Sequence, residues 1–215
     1  DVLPMLENMG LRVIDEFPYQ IVARDGAAEV WIHDFGIVDR AGIEIDIAAT
    51  KARFQDAFAR IMSGDSENDG FNQLITRAGL DWRQVTVLRG YCKYLRQANI
   101  PFSQAYMEAT LASNPAIARE LAALFEERFD PGRAAPRDEA AIAARIESLL
   151  ESVQSLDQDR IVRRFLNAVQ ATLRTNHYRT GEDGAALPYV SFKLDSSRID
   201  DLPLPRPWVE IFVYS

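Results

Sequence analysis

The sequence predicts an α+β protein built from a small α/β unit, a predominantly helical middle and a short β segment at the C-terminal end. Three observations predict it. Two β-rich runs follow the first ten residues. Helical periodicity then holds for roughly a hundred residues, well beyond the one-third helix of an ordinary globular chain. Strand-like composition returns in "YVSFKLD" and "WVEIFVYS", where Val209, Ile211 and Val213 alternate with Glu210, Phe212 and Tyr214.

Taken in order, Val2, Leu3, Met5, Leu6 and Met9 follow helical spacing, and Gly10 closes this first helix over residues 1–9, because glycine tolerates the left-handed conformation common just past a helix end. "LRVIDEFPYQIVARDGAAEVWIHDFGIV" supplies two strands, about 11–23 and 28–38, joined as an antiparallel hairpin at the Asp25-Gly26 turn signal. From Ile45 the period changes: Ile47, Phe54, Phe58, Ile61 and Met62 lie near one helical face that ends at Ser63-Gly64. Past the acidic loop "SGDSENDG", Asp81 caps a helix carrying Val85, Leu88, Tyr91, Cys92 and Leu95, which Asn99 and Pro101 end. Ser103 starts the next. Asn114 and Pro115 read as a cap and first-position pair before the stripe Ile117, Leu121, Leu124 and Phe125, and "FDPGRAAP" breaks the run. Ile142, Ile146, Leu149, Leu150 and Val153 form one more stripe, and Ile161, Phe165, Leu166, Val169 and Leu173 another, giving a helical hairpin or one long bent helix. "TGEDGAALP" is a loop. The expected units are residues 1–63, 64–177 and 178–215.

With 215 residues, 47% of them hydrophobic, the chain can bury a substantial core. A net charge of -8, with no basic run beyond Arg163-Arg164, argues against nucleic acid as a partner. One cysteine, Cys92, excludes an internal disulfide framework and fits a reducing compartment, so the cytoplasm is the expected location. No apolar run approaches the ~20 residues of a bilayer span and no signal-peptide pattern opens the chain, so no membrane association is expected. Helical spacing at the first residue and a strand running to the last suggest an interior piece of a longer polypeptide.

Several motifs invite chemistry and are better read as structure. Asp65, Glu67, Asp69 and Gly70 imitate a calcium loop, but Thr76 stands where a bidentate glutamate should close the shell, which favours a solvated acidic loop. His33 and His177 lie far apart, with no second cysteine or histidine at ligand spacing to make a metal site. Cys92, assisted by His33, could be a thiolate nucleophile, yet it sits on an apolar helix face where packing thiols are common. The "LPLPRP" stretch could be a polyproline II ligand. The simpler reading is that Pro203, Pro205 and Pro207 stiffen the approach to a strand. No glycine-rich phosphate cradle or nucleophile elbow occurs, so no catalytic, cofactor-binding or metal-binding residue is assigned.

Four stretches together resemble the large bacterial NAD-specific glutamate dehydrogenases: "DVLPMLENMGLRVIDEFPYQI", "LRGYCKYLRQANIPFSQAYMEATLASNPAIARELAALFEERFDP", "RFLNAVQATLRTNHYR" and "YVSFKLDSSRIDDLPLPRPWVEIFVYS". The resemblance implies that residues 1–63 are an incomplete ACT-like module lacking its first strand, and that residues 178–215 lead into a catalytic core whose catalytic residues lie beyond Ser215. It implies a parent enzyme that converts L-glutamate, NAD and water to 2-oxoglutarate, ammonia and NADH, acts as a homo-oligomer, and has the rest of the same polypeptide as the partner of this segment. The segment is then expected to be a regulatory and structural connector, inactive by itself, without NAD and with weak or no amino-acid binding. A free-standing amino-acid-binding regulatory module and a helical protein-interaction scaffold are the alternatives.

Overall fold

The computed structural model describes residues 2–22, 29–133 and 138–215. A short helix, α1 (Val2–Asn8), leads through Gly10, at φ 81°, into an antiparallel ribbon of β1 (Leu11–Val22) and β2 (Glu29–Asp39). The expected Asp25-Gly26 turn lies outside the described residues. Among the described residues only the base of the ribbon is anchored. Leu11 and Asp39 are buried, and the Arg40 amide donates to the Gly10 carbonyl at 2.8 Å. Further out, cross-strand pairing puts Phe17, Tyr19, Ile21, Val30 and Ile32 on one exposed apolar face. The other face carries polar pairs, with His33 against Glu16 and Gln20 against Glu29.

Helix α2 (Ile47–Ser63) starts at Asp46, whose carboxylate accepts the Ala49 amide at 3.0 Å, and stops at Gly64 with φ 81°. Its buried side runs through Thr50, Ala57 and Ile61, with Phe54 and Phe58 partly covered. Ile47 and Met62, expected on this face, are 73% and 54% exposed because they lie at the two ends of the stripe, beyond the helices that cover its middle. A turn of 3-10 helix at Gly70–Asn72 and α3 (Gln73–Arg77) follow the acidic loop.

Helix α4 (Trp82–Gln97) is the axis of the body. A capping box fixes its start: Asp81 accepts from the Arg83 and Gln84 amides, and the Gln84 side chain accepts from the Asp81 amide. Val85, Leu88, Tyr91, Cys92 and Leu95 are buried as the spacing requires, and α2, α3, α5, α6, α8 and β5 all touch this helix. Ser103 caps α5 (Gln104–Ser113) through the Tyr106 amide. Pro115 opens α6 (Pro115–Phe129), but Asn114 does not cap it with its side chain. At φ -122° and ψ 61° the Asn114 amide instead turns back to the Thr110 carbonyl, 2.8 Å away.

The two later stripes form separate helices, α7 (Glu139–Leu150) and α8 (Leu156–Ala171), the second capped by Ser155. The second helix ends before Leu173, which was expected on its stripe. Leu173 belongs instead to β3 (Thr172–Thr175) and is 44% exposed. Pairing with β4 (Val190–Asp195) captures these residues into a three-stranded antiparallel sheet of order β3-β4-β5, closed by β5 (Val209–Tyr214). Val190, Phe192 and Leu194 face the helices, while Ile211 and Val213 on β5 are 71% and 56% exposed. Among the described residues no helix is long and apolar enough to cross a membrane.

Candidate functional site: a buried arginine junction

An arginine in the apolar stripe of a helix must meet an acid, because an unpaired buried guanidinium costs several kcal/mol. Arg89 occupies such a position, four residues after Val85 and three before Cys92, and is fully buried. The acidic loop supplies its partner. Arg89 Nε donates to Asp69 Oδ2 at 2.9 Å and Nη2 to Asp69 Oδ1 at 2.8 Å, a two-pronged pair. Nη2 also reaches Asn72 Oδ1 at 2.8 Å and the Glu67 carbonyl at 3.3 Å. Burial pulls the guanidinium pKa down, but the hydrogen bonds and charge of Asp69 outweigh it and hold it above its ordinary value.

The same loop reaches the sheet. Lys93 Nζ donates to Glu67 Oε2 at 2.8 Å, and the Tyr214 hydroxyl is turned to the same carboxylate. Burial pushes the Glu67 carboxyl up, yet these two donors with the charges of Lys93 and Arg89 leave it below the usual carboxylate range. From the other side of α4 the Tyr94 hydroxyl donates to Glu210 Oε2 at 2.6 Å. Gly90 lies between these two contacts. A Cβ there would stand 2.9 Å from Phe192 Cε2 and 3.6 Å from Tyr214 Cδ1, so its absence lets the sheet sit directly on the helix. Tyr91 then stacks on Phe192, ring centroids 4.3 Å apart, and its hydroxyl lies 2.8 Å from Thr172 Oγ1.

These groups are paired with one another, and the Arg89–Asp69 pair is enclosed. Their chemistry is that of a joint between loop, helix and sheet. The acidic loop is solvated in part: Asp65, Glu67 and Asn68 are exposed, while Asp69 is drawn in by Arg89, Glu67 also holds Lys93, and Thr76 donates to the Met9 carbonyl at 3.1 Å. Among the described residues no group of three potential ligands could hold a metal ion. Cys92 is enclosed against Met107 Sδ at 3.9 Å, and burial, aided by the charges of Glu108 and Asp69, pushes its thiol up to about 12. His33 lies on the exposed ribbon, with Nδ1 2.6 Å from Glu16 Oε1, so the structure does not bring it to Cys92. His177 packs edge-on against Phe125 and Tyr178, and burial together with the charge of Arg83 lowers its pKa to about 4. The signal for this junction in the sequence is Arg89 itself, an arginine in register with the apolar stripe of Val85, Leu88 and Cys92.

The chain is similar along its length to one group of proteins. Residues 1–50 match the family described as glutamate dehydrogenase, ACT3 domain; residues 66–131 match glutamate dehydrogenase, helical motif 3; residues 145–215 match bacterial NAD-glutamate dehydrogenase, catalytic domain. The NAD-specific glutamate dehydrogenase of Halomonas elongata is 47% identical over 216 residues, covering 100% of this chain and 13% of the relative. Those of Pseudomonas aeruginosa and Mycobacterium tuberculosis are 44% and 46% identical, again over 100% of this chain and 14% of each relative. The chain thus spans about one seventh of the length of these curated relatives.

Proposed function

The chain belongs to the large bacterial NAD-specific glutamate dehydrogenases, and from that premise we propose that it serves as the regulatory and structural connector of an enzyme that oxidises L-glutamate with NAD and water to 2-oxoglutarate, ammonia and NADH. One observation carries the reading. The stretch matched to the helical motif and the stretch matched to the catalytic domain share a single core, with β5 tethered to α4 by the Tyr94–Glu210 hydrogen bond and Tyr214 packed close to Gly90. A displacement of α4 relative to β5 must break that bond and this packing or carry the strand with it. The regulatory part belongs to residues 1–50, matched to an ACT domain. Hydride transfer needs a nicotinamide held against substrate, and this reading places that pocket in other parts of a homo-oligomeric enzyme that works in the cytoplasm.

The test uses an enzyme of the relatives' length that contains this segment. Tyr94→Phe loosens β5 from α4, and glutamate-dependent NADH formation is expected to fall several-fold while circular dichroism stays unchanged. Undiminished turnover refutes the connector role. Calorimetric titration of NAD into the 215-residue chain is expected to show no saturable binding, and micromolar affinity overturns the placement of the cofactor site.

A further inference from the structure

At the base of the ribbon lies a cleft of about 990 Å³ that the arginine junction does not touch. One wall is a single face of α2, where Ile47, Thr50, Lys51 and Phe54 recur at helical spacing. The other is formed by the ends of β1 and β2 and the connecting residues 40–46. Leu11, Ile37, Ile43, Ile45, Ile47 and Phe54 make it apolar, and Ile43 and Ile47 are 58% and 73% exposed. Three cations, Arg12, Arg40 and Lys51, also line it, and no side-chain hydrogen bond or ion pair is made by any of them among the described residues. Of the two acids present, Asp39 is engaged by the Ala41 and Ile43 amides and faces Arg77 at 3.7 Å, which leaves Glu44 alone against the three cations. A positive, apolar recess on a chain of net charge -8 is locally opposite to the molecule that carries it.

We propose that this cleft binds an aliphatic carboxylate: an acid with a chain longer than any amino-acid side chain and no ammonium group. The apolar wall gains by covering a hydrocarbon tail, at roughly 25 cal/mol per Å² removed from water. The three unpaired cations supply the charge complement of the head group, and a volume at the upper end of the ~300–1,000 Å³ common for ligand pockets leaves room for the tail. A zwitterionic amino acid fits less well, because its ammonium enters a recess where cations already outnumber acids. A phosphate-rich nucleotide lacks both a glycine cradle and enough polar lining. The inference stands on residues 11–54 and is independent of the dehydrogenase reading.

Decanoate below its micellar concentration is the probe, added to the isotopically labelled 215-residue chain. Saturable binding is expected, with amide shifts confined to residues 11–12 and 37–55. Replacing Arg12, Arg40 and Lys51 together by alanine is expected to weaken it at least ten-fold; all three are exposed, so the fold is left intact. The Ile43→Glu variant should weaken it similarly. Decanol should bind at least ten-fold more weakly than decanoate, and leucine should not bind. Equal binding of decanol, an unchanged affinity in the triple variant, shifts centred on Phe17, Tyr19 and Ile32 of the ribbon, leucine binding as tightly as decanoate, or no saturable binding at all would each overturn the proposal.

Discussion

Arg89 and Asp69 are the residues on which the junction depends most, because each is enclosed and each is the other's main counter-charge. Removing one leaves the other enclosed without its counter-charge, a loss of about 3–5 kcal/mol. Arg89→Met is therefore expected to lower the urea midpoint strongly, and adding Asp69→Asn to it should recover part of the loss, since the stranded carboxylate then disappears. A double variant no better than the single one would show that Asp69 is relieved by other groups. His177 makes a prediction about pH. Its folded pKa of about 4 lies below the ordinary 6.5 through burial and the charge of Arg83, with Asp130 opposing. The unfolded chain therefore takes up the proton first. The stability this neutral imidazole provides is complete above pH 6.5 and is lost as pH falls from 6.5 towards 4, by at most about 3 kcal/mol. Other carboxylates titrate in that window, so the measurement is the difference between the native chain and His177→Phe: the difference should shrink with acid, and a pH-independent difference contradicts it. Neither role was visible in the spacing of residues. Arg89 was legible in principle from its register with Val85 and Cys92, whereas the setting of His177 depends on Phe125 and on Arg83, which come from other helices.

Among the elements, helices with their own punctuation were the most legible. Asp81, Ser103 and Gly64 mark ends that local hydrogen bonding decides, so sequence and structure agree there. The strand β3 was not legible, because Thr172–Thr175 continues the apolar spacing of α8 and leaves it only through pairing with β4, which comes from later in the chain. Asn114 shows the same limit on a smaller scale, since its amide had a nearer acceptor in the preceding helix. Gly90 is another case in which the neighbouring element decides. In an isolated helix, Gly→Ala gains roughly 0.8–1 kcal/mol. Here the new methyl stands 2.9 and 3.3 Å from two Phe192 ring carbons, and the ring is pinned between Tyr91 and the sheet. Overpacking a filled core costs about 1–3 kcal/mol, so Gly90→Ala is expected to destabilise by about 1 kcal/mol in urea. Pairing it with Phe192→Leu should cost less than the sum of the two changes; strict additivity would mean that the ring is not what the methyl meets.

For the whole molecule, residues matched to different family segments do not correspond to separate cores. Met9 from the first segment, Leu88 and Phe125 from the second, and Phe165 and Phe192 from the third belong to one contiguous cluster. The ribbon stands apart from it, a two-stranded element of the kind that is marginal alone in water. This difference sets an order of loss. Ending the chain at Ala171 would remove Val190, Phe192, Leu194, Ile199 and Leu202, each no more than 6% exposed. At about 1.5–3 kcal/mol for each fully buried side chain, their burial is worth on the order of 10 kcal/mol as an upper estimate, comparable with the entire 5–15 kcal/mol stability of an ordinary domain. The truncation would also uncover Tyr91 and take away Thr172, the partner of its hydroxyl. Residues 1–171 are therefore expected to lose the cooperative calorimetric transition while keeping helical circular dichroism and binding a dye that reports exposed apolar surface. Replacing Phe17, Tyr19 and Ile32 on the exposed ribbon face by threonine in the 215-residue chain should leave that transition in place. A sharp transition in the shortened chain would mean that α4, α6 and α8 form a sufficient core without the sheet, and that β3, β4 and β5 rest on a domain that folds before they arrive.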